Sequence, residues 1–201
     1  MWTFMKSAPW TFGIGAVIFV VAIVGVIVGV ITKGRWIDRG LMKTKDGKPI
    51  KWPLEVLPLG VWLAHDLHPD YAALWPPLRD YLNKLVGRDM FDLGTQAPPE
   101  LDLDRLPSGT GMIAIRDDNG MEPDKGSTVF KYDVNGALLS AVITIPEARP
   151  ESAKKILLHE LLHALGLDHD ESVSSIMNPT LQARPQEMSD ADRNLLKKVY
   201  G

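Results

Sequence analysis

The chain contains no cysteine in 201 residues. That excludes a disulfide framework, a thiolate nucleophile, an iron–sulfur cluster and a cysteine-containing zinc finger. It leaves the redox compartment open. Histidine is scarce, five in all, so a cluster of histidines carries information. An excess of positive charge is also missing. Lys and Arg number 22 against 25 Asp and Glu, a formal charge of −3. This argues against a basic nucleic-acid footprint, and no nucleic-acid partner is expected. The apolar content of 45% and charged content of 23% sit near the globular average, which excludes wholesale disorder. The length allows one ordinary domain with an appendage.

What is present is unevenly distributed. Residues 13–31, GIGAVIFVVAIVGVIVGVI, form a run of nineteen without a charge or a strongly polar group. As a helix the run reaches about 28 Å, enough for a hydrocarbon core. A buried strand would stop after about four to eight residues. Trp10 and Trp36 flank it, where amphipathic rings favour the interface. The run exceeds a usual signal-peptide core, and no A-x-A-like site follows it. The sequence therefore predicts a retained single-pass anchor in a lipid bilayer. The domain plan is a flank at 1–12, a transmembrane helix at 13–31, a basic juxtamembrane linker at 32–52 and a folded domain at 53–201. Gly25 and Gly29 form a GxxxG, a weak signal for a homo-oligomer through the transmembrane helix. Lys33, Arg35, Arg39, Lys43, Lys45 and Lys48 outnumber Asp38 and Asp46 beyond the span. The positive-inside rule then places the domain in the cytoplasm.

Within the domain, LGVWLA at 59–64 reads as a strand. Residues 76–86 read as a helix with prolines in its first turn and Gly87 at its C-terminal cap. Residues 94–110 read as loop and 112–115 as a short strand. Strands at 128–132 and 137–145 bracket Asp133-Val134-Asn135-Gly136, a hairpin signal. A helix begins near Pro150 and stops at Gly166. The last helix opens at Ser189, with Asp192 three residues on as a capping-box partner. Ala191, Leu195 and Val199 give its inner face. This order predicts an α+β (α/β-like) fold, a sheet carrying a long helix.

The chemistry concentrates in His159-Glu160-Leu161-Leu162-His163-Ala164-Leu165-Gly166-Leu167-Asp168-His169. His159 and His163 are four apart, so a helix stacks them on one face, as two ligands of a tetrahedral zinc require. Glu160 lies about 100° around the helix. From there it can face the metal without being a ligand, the place for a carboxylate that activates water. Gly166 can adopt positive φ, end the helix and turn His169 back towards the pair. Three neutral nitrogens leave one coordination position open, the mark of a catalytic zinc site. Ile156, Leu157, Leu158, Leu161, Leu162, Ala164 and Leu165 cover the other faces, which predicts a helix buried at the centre of the domain.

HELLHALGLDH resembles the zinc-binding pattern of the metzincins, and Met177 in Ser175-Ile176-Met177-Asn178-Pro179 resembles their Met-turn. The C-terminal stretch 188–201, ending in Tyr200-Gly201, resembles the closing helix of matrixins. The resemblance covers roughly 53–201. It implies a metzincin-type catalytic domain with a mixed twisted sheet, a long active-site helix and a C-terminal helix. It implies that Met177 forms an apolar floor beneath the metal, that Pro179 to Leu181 border an apolar pocket, and that the domain acts outside the cytoplasm. The implied function is a membrane-anchored zinc endopeptidase acting on polypeptides, with Glu160 as general base. A non-catalytic, zinc-stabilised, membrane-anchored binding or assembly module is the alternative. Asp170, Asn178 and Pro179 stand where relatives of this clan commonly carry other residues.

Two further groups invite a metal reading. His65-Asp66-Leu67-His68 reads more readily as polar residues ending a strand than as a second site. Asp117, Asp118, Asn119, Glu122 and Asp124 cluster oxygen donors around Gly120, but without EF-hand spacing. A solvated turn is the better reading, and calcium has no firm support.

Overall fold

The computed structural model describes residues 40–106, 111–123, 125–146, 150–180 and 184–201. The anchor at 13–31, with its Gly25/Gly29 motif, lies outside the described residues. Among the described residues no helix is long and apolar enough to cross a membrane.

Five strands form one sheet: β1 (Gly60–Leu63), β2 (Thr95–Gln96), β3 (Met112–Asp118), β4 (Ser127–Tyr132) and β5 (Leu138–Pro146), in the order β2-β1-β3-β5-β4. β1 pairs in parallel with both β2 and β3, and β3 in parallel with β5. β4 runs antiparallel to β5 and forms one edge. Ile113, Ala114 and Ile115 of β3 are all fully buried. That is the run expected of a parallel strand covered on both faces. β4 carries no buried residue, as suits an edge. The predicted hairpin joins β4 to β5, with Gly136 at φ +85°.

Three α-helices complete the described fold: α1 (Pro69–Val86), α2 (Pro150–Ala164) and α3 (Asp190–Tyr200). α2 packs on β4, β5 and α1, and α1 also meets α3. Ile156, Leu157, Leu158, Leu161, Leu162 and Leu165 are at most 1% exposed. At roughly 2 kcal/mol for each large aliphatic side chain, their burial contributes on the order of 10 kcal/mol. That is enough to carry His159 and Glu160 inside with them. The mixed sheet, long helix and C-terminal helix agree with the predicted fold class.

β2 lies in 94–110, a stretch that reads as loop, because pairing with β1 rather than any sequence pattern makes it a strand, and three further expectations need correction. α1 starts at Pro69, not at Pro76. His68 caps it by accepting from the Asp70 N–H at 3.3 Å, and Pro69 takes the first helical position. Pro76 and Pro77 lie inside the helix on its exposed side, where water can serve the carbonyls they leave without helical donors. His68 is therefore a cap rather than a strand end. Secondly, the inner face of α3 is Asp192, Leu196, Val199 and Tyr200; Ala191 is exposed and Leu195 half-buried.

Thirdly, residues 40–52 are not a linker. They belong to the compact unit Gly40–Gly201. Leu41, Ile50 and Trp52 are at most 3% exposed. The Trp52 indole donates to the Ala164 carbonyl at 2.8 Å, and its backbone N–H donates to the Tyr200 hydroxyl at 3.2 Å. The Tyr200 hydroxyl in turn donates to the Leu165 carbonyl at 2.6 Å. The segment thus closes over the end of α2, beside the three histidines.

Candidate metal centre

α2 places His159 and His163 one turn apart, with their Nε2 atoms 3.0 Å from each other. The helix stops at Ala164, and Gly166 turns the chain at φ +90°. A Cβ there would lie 2.1 Å from the Ile50 carbonyl oxygen, so only glycine fits the turn. The Gly166 N–H donates to the His163 carbonyl at 2.8 Å, and the Gly166 carbonyl accepts from Met42 at 2.9 Å. Beyond this turn the Nε2 of His169 comes within 3.1 Å of that of His163. His159 is buried, His163 half-buried and His169 exposed, so the cluster opens to solvent on one side.

The outer ring nitrogens fix what the inner ones offer. His159 Nδ1 donates to the Ile176 carbonyl and His163 Nδ1 to the Leu167 carbonyl, both at 2.8 Å. A carbonyl only accepts, so each Nδ1 carries the proton and each Nε2 presents a lone pair. The His159 and His163 lone pairs, converging at 3.0 Å, repel unless a cation lies between them. The donor set therefore fits a divalent metal of zinc's preferences. Burial pulls the pKa of His159 down to about 3, with His163 nearby adding to the effect and the Ile176 bond opposing it. Burial pulls His163 to about 4, against the Leu167 bond. Both rings are neutral at ordinary pH, the form that binds metal.

Glu160 is 3% exposed and lines the same cleft. Its Oε2 accepts from the Thr128 hydroxyl at 2.7 Å. Burial raises its pKa, while the Thr128 bond and the Arg184 charge pull it back down. Gly126 makes room for it: a Cβ there would lie 2.6 Å from Glu160 Oε1. Gly126, Thr128 and Arg184 are the residues that the sequence did not single out. Each comes from an element remote from the histidine motif, and none carries a spacing signal.

The turn around Met177 is held by α3. The Asp192 carboxylate accepts from the Ser175 hydroxyl at 2.7 Å and from the Ile176 N–H at 3.1 Å. The same carboxylate accepts from Ser189 within the capping box. Met177 is fully buried, and its carbonyl accepts from the N–H of Asp170, next to His169. The Asn178 amide donates to the carbonyls of Glu171 and Ser172, which ties the loop after His169 to the turn. Pro179 lines the cleft, whose volume is about 410 Å³. Leu181, the other pocket-wall residue expected, lies outside the described residues.

The sequence model of one protein family, the matrixins, matches residues 88–201, more than half of the chain. The chain belongs to the matrixin family. Comparison with curated proteins finds no match. The three histidines of this matrixin are the one group among the described residues placed to hold a metal. Family and triad together support a zinc metallopeptidase.

The remaining candidates have other work. Asp117 accepts from the His68 N–H at 2.9 Å, Asp118 from Gly120 at 2.8 Å, and Glu122 pairs with Lys125 at 2.8 Å. Asp124 lies outside the described residues. Asp118 and Glu122 thus make the short-range bonds of a solvated turn, while Asp117 ties β3 to the start of α1.

Proposed function

We propose that this matrixin is a zinc-dependent endopeptidase. The carrying observation is the convergence of three Nε2 atoms, two of them on rings, His159 and His163, whose Nδ1 protons are committed outward to backbone carbonyls. In this reading His159, His163 and His169 hold the zinc. No fourth His, Asp or Glu of the described residues joins that group, which favours an open catalytic position over the closed structural zinc of a binding module. Zinc, when bound, supplies a Lewis acid that polarises a peptide carbonyl and acidifies water.

Glu160 is the general base. Thr128 holds its Oε2 and leaves Oε1 to take a proton from water and return it to the leaving amine. Burial that raises the carboxylate's proton affinity suits both halves of that task. The polypeptide lies along β4, whose outer edge has no strand beside it among the described residues. Ser127, Thr128 and Phe130 of β4 line the cleft, so backbone pairing there carries the substrate past Glu160. Met177 fills space beneath the site and takes no chemical part. The apolar run at 13–31 anchors the chain in a bilayer, with the catalytic domain outside the cytoplasm. Protease protection in oriented vesicles reports the side.

Glu160→Gln is the direct test. It should retain one zinc per chain and lower peptide turnover by at least about a hundredfold. Unchanged turnover would remove Glu160 from the reaction.

A further inference from the structure

Arg184 occupies the cleft without a role in the reaction proposed above. It is 7% exposed and lines the cleft with His159 and Glu160. Its Nε donates to the Asn178 carbonyl at 2.6 Å and its Nη2 to the Pro179 carbonyl at 3.3 Å. These bonds moor the guanidinium to the backbone just past the Met-turn. Nη2 also donates to His159 Nε2 at 3.1 Å. Nη1 is buried and has no hydrogen-bond partner. Among the described residues, no carboxylate lies within 4.0 Å of the guanidinium.

A buried cation with an orphaned donor is costly in isolation. Metal loading widens the imbalance. His159 Nε2 has one lone pair, which cannot serve Arg184 once a metal takes it. Both terminal nitrogens then carry an unused N–H, in the planar fork that matches a carboxylate. Lys125, at the same cleft, already pairs with Glu122. Glu160 spends Oε2 on Thr128. Asp168, also at the cleft, accepts from the His169 N–H, so none of the described carboxylates of the cleft bonds the guanidinium, and its free fork is open to an anion that arrives with the substrate.

We propose that Arg184 is the carboxylate-recognition residue of this cleft. It grips, by two-point contact, a carboxylate of the polypeptide close to the bond that is cut. An acidic side chain and a free C-terminal carboxylate offer the same chemistry. The inference rests on the peptidase reading for its substrate, and its test separates the two.

The experiment uses the full chain, zinc-loaded, in detergent. One peptide series carries Asp or Asn near the cleaved bond, with the C-terminus amidated. A second has no acidic residue and a free or amidated C-terminus. The acid-bearing member of one series should show at least a tenfold higher kcat/KM than its neutral twin, carried by KM. Arg184→Gln should abolish that preference and Arg184→Lys should keep part of it, with zinc content and melting temperature checked for both. Should Arg184→Gln fail to fold, Arg184→Lys decides, because it keeps the charge and loses the fork. Fluorescence anisotropy of the same labelled peptides on Glu160→Gln gives a readout without turnover. Equal kcat/KM for acidic and neutral peptides overturns the assignment and leaves the peptidase standing. So does an equal fall in kcat on every peptide upon substitution, since that places Arg184 in the chemistry alone. Acid-selective binding to Glu160→Gln without cleavage by the unaltered protein keeps Arg184's role and overturns the peptidase.

Discussion

Each of His159 and His163 commits one nitrogen to a backbone carbonyl, and the other nitrogen is left as a lone pair facing its neighbours. That arrangement has a pH signature. Folded, the two rings take up protons only near pH 3 and 4; unfolded, they do so near the ordinary imidazole value of 6.5. Between these values the unfolded chain binds more protons, so stability falls as pH falls. Metal-free protein should therefore show a falling melting temperature from pH 6.5 towards 4, with no slope from these rings above 6.5. A profile flat across pH 4–6.5 would mean that the rings are not held neutral. At this scale the sequence was informative where spacing repeats on one helix: His159, Glu160, His163 and the Gly166 turn that returns His169. Thr128, Gly126 and Arg184 were not legible. A lone threonine, glycine or arginine carries no periodicity, and only the fold brings them to α2.

Among the elements, α3 does more than close the domain. Asp192 caps it and also takes the Ser175 hydroxyl and the Ile176 N–H, while the Ile176 carbonyl orients His159. A chain of bonds therefore runs from a helix N-terminus to His159, a candidate metal ligand. Ser189→Ala should cost about 1 kcal/mol, the worth of a cap. Asp192→Ala should cost roughly 3 kcal/mol, because it leaves buried donors unpaired, and should weaken zinc affinity about tenfold or more. Urea midpoints and zinc titrations check both. Equal costs with unchanged zinc affinity would confine Asp192 to capping. The capping box was readable from Ser189 and Asp192, but its second duty was not, and it explains why the inner face was misread. Burying Asp192 rotates α3 so that Leu196, not Leu195, points inward. The start of α1 is hidden from the sequence for a different reason. Pro76-Pro77 looks like a first turn, yet burial of Tyr71 and Trp75 carries the helix two turns further back.

At the scale of the whole molecule, the sheet presents β4 as an edge, α2 lies beneath it, and residues 40–52 clamp the turn that aims His169. The clamp is not legible in the sequence, because Leu41, Ile50 and Trp52 are isolated in a basic, polar stretch without period. A chain beginning at Gly40 should unfold cooperatively. One beginning at Pro53 should melt more than about 10 °C lower or fail to fold, since it loses a fully buried tryptophan and its bond to Ala164. Thermal melting of the two chains decides. Equal stability would return 40–52 to the status of a linker. The mixed α+β class and the order of elements follow from strand and helix signals, except for the two-residue β2, which lies in a stretch that reads as loop. Packing of the N-terminal segment did not, because it is non-local.

The account as a whole stands on three imidazoles sharing one zinc that retains an accessible position. X-ray absorption at the zinc edge of the purified chain tests this most directly. The account predicts one zinc per chain, three imidazole nitrogens at about 2.0–2.1 Å and one exchangeable oxygen ligand, with the histidine signal reduced in His163→Ala. A fully proteinaceous four-ligand shell, or zinc uptake indifferent to His163→Ala, would contradict it.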